Sequence, residues 1–217
     1  MAAPELDRYY VAFGAAFARG RLGVSVPDDA VAFRTGVDRG LKMHKFKRLD
    51  GRLLARVRRV LSMLAGLHPQ SLLDVGSGRG AFLWPLLDAF PDLPVTAIDM
   101  DERRAADLDC AARGGLTQLS AAKMDATKLG FADESFDGVT LLEVLEHMPD
   151  PAKAASEAVR VAKRFVVASV PSKPDDNPEH IQLFDPKTLT ALFDRAGARR
   201  VTIEHVPSHM IALAHVT

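Results

Sequence analysis

The stretch Glu143-Val144-Leu145-Glu146-His147 puts two carboxylates and an imidazole within five residues, after an apolar run and just before Asp150-Pro151. Such side chains move protons near neutral pH or hold divalent cations. A second imidazole, His180, falls in the polar, proline-stiffened segment 172–185, a candidate substrate loop. Three readings compete. In the first, the site is metal-free and His147 or His180 deprotonates an acceptor hydroxyl, with Glu146 beside them. In the second, Glu143, Glu146, His147 and His180 bind a divalent ion that gathers substrate hydroxyls and lowers their pKa. In the third, Glu146 and His147 simply hydrogen-bond backbone at a loop. The working assignment is the first: His147, His180 and Glu146 as catalytic residues, without metal. The remaining histidines, His44, His68, His205, His209 and His215, read as ordinary surface or core residues.

A second constellation lies upstream. In Leu72-Leu73-Asp74-Val75-Gly76-Ser77-Gly78-Arg79-Gly80, an apolar run leads through alternate glycines into a helical stretch, expected to begin near Gly80. Glycine admits positive φ and lets a ligand lie against the backbone. The spacing G-x-G-x-G departs from the G-x-G-x-x-G of pyrophosphate-binding loops, which disfavours a nicotinamide dehydrogenase. Asp74, two residues before the turn, would repel a pyrophosphate but suits a ligand bearing positive charge.

The next apolar run ends at Asp99, nineteen residues past Gly80, where a carboxylate can accept from both hydroxyls of a ribose. Asp101 fits a helix N-cap better. The third run ends at Asp125, placed to take an adenine amino group.

Those groups need elements to hold them. From Ser71 onward, short apolar runs alternate with helical stretches, the pattern of parallel strands joined by crossover helices. Unbroken runs such as Phe165-Val166-Val167-Ala168-Ser169-Val170 fit strands covered on both faces. Near the end, Arg199–Val206 and His209 onward are joined by Pro207-Ser208, which predicts an antiparallel hairpin. The first 70 residues read as helices: one ending at Gly20, a short one after Pro27-Asp28, and an amphipathic one with Leu53, Leu54, Val57, Val60 and Leu61 on one face. Phe82 and Trp84 are assigned to helix–sheet packing.

Taken in order, these pieces resemble the class I S-adenosylmethionine-dependent methyltransferases, over roughly residues 70 to 200. The string Glu143–His147 also resembles the ubiquinone-pathway O-methyltransferases, and its spacing is similar to that of small-RNA 2′-O-methyltransferases. The resemblance implies an α/β, Rossmann-like, seven-stranded, mostly parallel sheet with an antiparallel last strand, helices on both faces and an N-terminal helical extension. It implies S-adenosyl-L-methionine contacts at Asp74, Gly76, Gly78, Gly80, Asp99, Met100, Asp125 and Ala126, with Glu143 near the methionine end. Residues 1–68 then form a helical cap and 69–217 the methyltransferase domain. The expected activity is O-methylation of a small molecule. The alternatives are metal-assisted ribose 2′-O-methylation of RNA and a non-catalytic protein that binds the cofactor.

Bulk properties bound these readings. The 217 residues are 47% apolar with a formal net charge of zero, so the chain as a whole is no polyanion binder. Between Arg34 and Val60, however, basic residues are opposed only by Asp38 and Asp50, a hint of an anionic partner such as RNA. The lone Cys110 excludes an internal disulfide and any multi-cysteine zinc cluster. No leader-like segment or membrane-length apolar run is present, so a soluble, cytoplasmic protein without a membrane partner is expected. The oligomeric state is not legible.

Overall fold

The computed structural model describes residues 7–46, 53–174 and 176–217. Lys47, Arg48, Asp50 and Arg52 of the basic stretch lie outside these residues, as does Asp175 of the 172–185 segment.

The elements run α1 (Asp7–Leu22), α2 (Asp29–Asp38), a 3₁₀ turn (Met43–Lys45) and α3 (Ala55–Leu67), then β1 (Leu72–Val75), α4 (Leu83–Ala89), β2 (Val95–Asp99), α5 (Glu102–Arg113) and β3 (Leu119–Lys123). They continue with β4 (Phe136–Leu142), a 3₁₀ turn (Leu145–His147), α6 (Pro151–Val161), β5 (Ala162–Pro171), α7 (Pro186–Ala196), β6 (Arg200–Val206) and β7 (His209–His215). The strands form one sheet in the order β3-β2-β1-β4-β5-β7-β6. The pairs among β1 to β5 are parallel, and β7 runs antiparallel between β5 and β6. The chain therefore has the expected Rossmann-like α/β architecture.

Alternation along the strands splits the core in two, since successive side chains point to opposite faces. Leu72, Val167 and Ile211 pack on one face with α1, α3, α4 and α5. Their neighbours Leu73, Val166 and Ala212 pack on the other with α6 and α7. Phe13, Phe17 and Met43 thus share an apolar cluster with the sheet.

Two local expectations are corrected and a third is extended. Helix α1 does not stop at Gly20 but runs on to Leu22. Gly20 is there for a close crossing: a Cβ on it would meet the Cys110 carbonyl of α5, and one on Gly114 would meet the Ala16 carbonyl of α1. Helix α4 begins at Leu83, not near Gly80, because a turn at Ala81-Phe82 intervenes. Trp84 stacks on Phe13 of α1 with ring centroids 3.4 Å apart and meets Phe46 edge-on, so it anchors the N-terminal helices as well as packing below the sheet.

Candidate active site

Ligands of open α/β sheets bind beyond the carboxyl ends of the strands. A cleft of about 860 Å³ opens there, above β1, β2 and β4. Of the residues expected to hold the cofactor, Asp74, Gly76, Gly78, Asp99, Met100, Asp125, Ala126 and Glu143 line it. Gly80 does not. Its φ is +82°, and a Cβ would run into the Trp84 indole, so this glycine serves a packing contact.

The turn after β1 is fixed by its neighbours. The Gly76 and Ser77 N–H groups donate to the Ile98 carbonyl at 2.8 and 3.2 Å. Asp99 accepts the Gly78 N–H on one oxygen and the Asp101 N–H on the other, each at 2.9 Å. Each oxygen keeps a further lone pair, so the same carboxylate can tie the turn and still face a ligand. Asp101 caps α5, as its position suggested.

Asp74 is 2% exposed and accepts from Ser77 Oγ at 2.6 Å and Thr140 Oγ1 at 2.7 Å. Burial pushes its carboxyl up to about 6; the two hydroxyls oppose that rise and nearby Asp99 adds to it. A cationic ligand in the cleft is the natural counterweight.

Asp125 closes a local turn, accepting the Thr127 N–H at 2.8 Å and the Thr127 hydroxyl at 2.9 Å. These bonds hold its carboxyl below the usual range. Met100 is 72% exposed, an apolar side chain set at the cleft wall beside Asp99.

His147 also lines the cleft. Its Nδ1 lies 2.9 Å from the Glu179 carbonyl, so that nitrogen bears the proton and Nε2 presents a lone pair. His180 stacks edge-on against it with centroids 4.8 Å apart. Glu146 is 1% exposed and sits outside the cleft wall. Donor atoms of Glu146, His147 and His180 nevertheless lie within 4.8 Å of one another, close enough to gather around a single divalent ion. The 172–185 segment is held to this turn by main-chain bonds: Ile181 N–H to the Glu146 carbonyl at 2.9 Å, and the Gln182 side chain to the Met148 carbonyl.

Glu143 stands apart from that trio. Its carboxylate meets Ser169 Oγ at 2.9 Å, His209 Nε2 at 2.8 Å and Arg56 Nε at 3.6 Å. Two residues here escaped the sequence reading. Arg56, which lines the cleft, is one arginine among many in an amphipathic helix, with nothing in its spacing to single it out. His209, set aside as ordinary, touches Glu143. The available signal was topological: an antiparallel strand starts at the rim where its parallel neighbours end. Arg59 likewise pairs with Glu204 at 2.6 Å and Lys45 with Asp107 at 2.5 Å, so these described cations of the basic stretch are engaged within the fold.

Residues 73–166, which contain the turn, Asp99 and the Glu143–His147 string, match a family model described as a methyltransferase domain. The matched segment is thus similar to methyltransferase domains over somewhat less than half of the chain. Curated relatives of the domain include a demethylmenaquinone methyltransferase of Renibacterium salmoninarum, 37% identical over 124 residues, covering 52% of this chain and 47% of the relative. A ubiquinone biosynthesis O-methyltransferase of Alkalilimnicola ehrlichii is 34% identical over 109 residues, covering 50% and 43%. The chain thus spans about half the length of the curated relatives it matches. The fold is shared with a methyltransferase from Aquifex aeolicus at a TM-score of 0.64 and 22% identity, over 76% of this chain and 91% of that one. No helix among the described residues is long and apolar enough to cross a membrane.

Proposed function

We propose that the protein transfers a methyl group from S-adenosylmethionine to a hydroxyl of a small molecule, with His147 as proton acceptor. The observation that supports this most is the contact of His147 Nδ1 with the Glu179 carbonyl, which makes Nε2 the acceptor nitrogen of the neutral ring in a residue that lines the cleft. The cofactor supplies a methyl already activated on a sulfonium. Asp74, Asp99 and Asp125 bind and orient it, with Met100 beside the adenosine and Glu143 toward the methionine end. Arg56, beside Glu143, is set to face the methionine carboxylate. Alignment of acceptor and methyl is the main catalytic contribution, and removal of the acceptor proton follows the imidazole. Residues 1–68 act as a cap through α3, which contributes Arg56 and Val57 to the cleft.

The curated relatives are named for quinone pathways, so phenolic and quinol-like hydroxyls are the first acceptors to try. Radiolabel transfer from S-adenosylmethionine to such a panel, with wild type and His147→Ala, tests the reading. Lost transfer with unchanged S-adenosylhomocysteine affinity supports it; undiminished transfer by the variant overturns it.

A metal-assisted reading is favoured by one observation, the convergence of Glu146, His147 and His180. These residues would hold a divalent ion, which lowers the pKa of a bound hydroxyl. Titration of Mg²⁺, Mn²⁺ and Zn²⁺ into metal-stripped protein with S-adenosylhomocysteine separates the two. Stoichiometric uptake abolished in His180→Ala selects the metal; no uptake selects the imidazole.

A further inference from the structure

Glu143 has a left-handed backbone, φ +60°, which a residue with a side chain keeps only when its surroundings determine it. Those surroundings are visible. Its N–H donates to the Ser169 carbonyl at 3.0 Å, Ser169 Oγ donates to Oε1, and His209 Nε2 sits 2.8 Å from Oε2. A carboxylate only accepts, so His209 Nε2 bears a proton and donates. The other ring nitrogen faces the Pro207 carbonyl at 3.3 Å.

The topology explains how residue 209 reaches this place. Cofactor-side residues come from the ends of the parallel strands, but β7 runs the other way and offers its beginning. His209 is its first residue, paired with Pro171, the last residue of β5. The connection from β6 is the two-residue turn Pro207-Ser208, with Ser208 at φ +67°, and the Ser208 carbonyl accepts the Ser172 N–H at 3.0 Å. The turn is therefore fastened to the start of the 172–185 segment, and His209 has little freedom to leave Glu143.

We infer that His209 is a positioning residue for the amino-acid end of S-adenosylmethionine, acting through Glu143. The inference rests on the proposed reading of Glu143 as a contact of the cofactor's methionine end. A glutamate has several rotatable bonds, and a ligand that must order it loses affinity. Donors from His209 and Ser169 order it beforehand and still leave lone pairs for the cofactor's ammonium.

The test compares two ligands by calorimetry. S-adenosylhomocysteine has the amino-acid end; 5′-methylthioadenosine keeps the adenosine and thioether but lacks it. His209→Leu is expected to weaken the first about tenfold and the second by less than about twofold. His209→Gln, which restores an N–H donor, should recover most of the loss. His209→Leu/Glu143→Gln should bind S-adenosylhomocysteine no more weakly than Glu143→Gln alone. If His209→Leu does not fold, His209→Asn takes its place, its donor falling short of Glu143. Weakening by Glu143→Gln but not by the His209 variants would overturn the role of His209 and leave the cofactor reading standing. Unchanged affinity in Glu143→Gln would overturn that reading itself. Equal losses for both ligands, with a lowered melting temperature, would reduce His209 to a structural bond.

Discussion

Asp74 couples folding to pH in a direction opposite to most acids. Its folded carboxyl titrates near 6 against an ordinary value of 3.8, so between those values the folded protein holds a proton that the unfolded chain has released. Stability from this group is full below about pH 4, falls as pH rises toward 6, and is level above; the difference is about 3 kcal/mol. Urea denaturation of wild type and Asp74→Asn at stepped pH should show this slope only in the wild type. A cationic cofactor favours the ionised form. Its affinity should accordingly rise several-fold from pH 5 to 7, with proton release measurable in buffers of different ionisation enthalpy. Gly80 gives a second prediction at this scale. Gly80→Ala meets both a left-handed backbone and the Trp84 indole, and should cost roughly 3 kcal/mol, read as a lowered denaturation midpoint. The glycine spacing is legible in sequence, but which glycines line the cleft and which packs against a tryptophan depends on a partner four residues on.

Among the elements, α6 does more than cover the sheet. Arg160 uses its guanidinium to bond Glu157, Asp133 and the carbonyls of Leu129 and Phe131, while Glu157 accepts the Leu129 N–H at 2.7 Å. This fastens the loop that follows Asp125 and Ala126. Arg160→Lys cannot reproduce the planar fork. It should destabilise the protein by about 2 kcal/mol and weaken S-adenosylhomocysteine binding; hydrogen exchange over residues 124–135 locates the effect. The α1–α5 crossing is equally specific, and Gly114→Ala should lower stability by about 1–3 kcal/mol through contact with the Ala16 carbonyl. Strand and helix order from Ser71 onward was legible because alternating apolar runs and helical stretches have different periods. The end of α1 was not. A glycine that stops a helix and one that lets two helices touch look alike until the second helix is placed.

For the molecule as a whole, the N-terminal helices and the sheet share one apolar cluster. Removing residues 1–68 should therefore expose Trp84 and its neighbours and give an aggregating product rather than a smaller folded domain, a result that light scattering would report. The charge asymmetry of the sequence is softened by the same packing, because Lys45, Arg56 and Arg59 have acidic partners from outside the stretch. Weak, salt-insensitive RNA binding is the expected outcome; steep salt dependence would restore the RNA reading. Composition made the basic stretch visible but was blind to its partners, which lie as far along the chain as Glu204.

The place of β7 has a consequence for the order of assembly. Among the described residues β6 has no sheet neighbour except β7, and β5 reaches β6 only through it. The last strand in chain order is needed to seat its predecessor in the sheet, and the pairing of β7 with β5, about 40 or more residues apart, is a non-local step that favours slow folding. Once formed, the arrangement is nested: any opening that releases β7 also releases β6, so amides of β6 will not outlast those of β7 in hydrogen exchange.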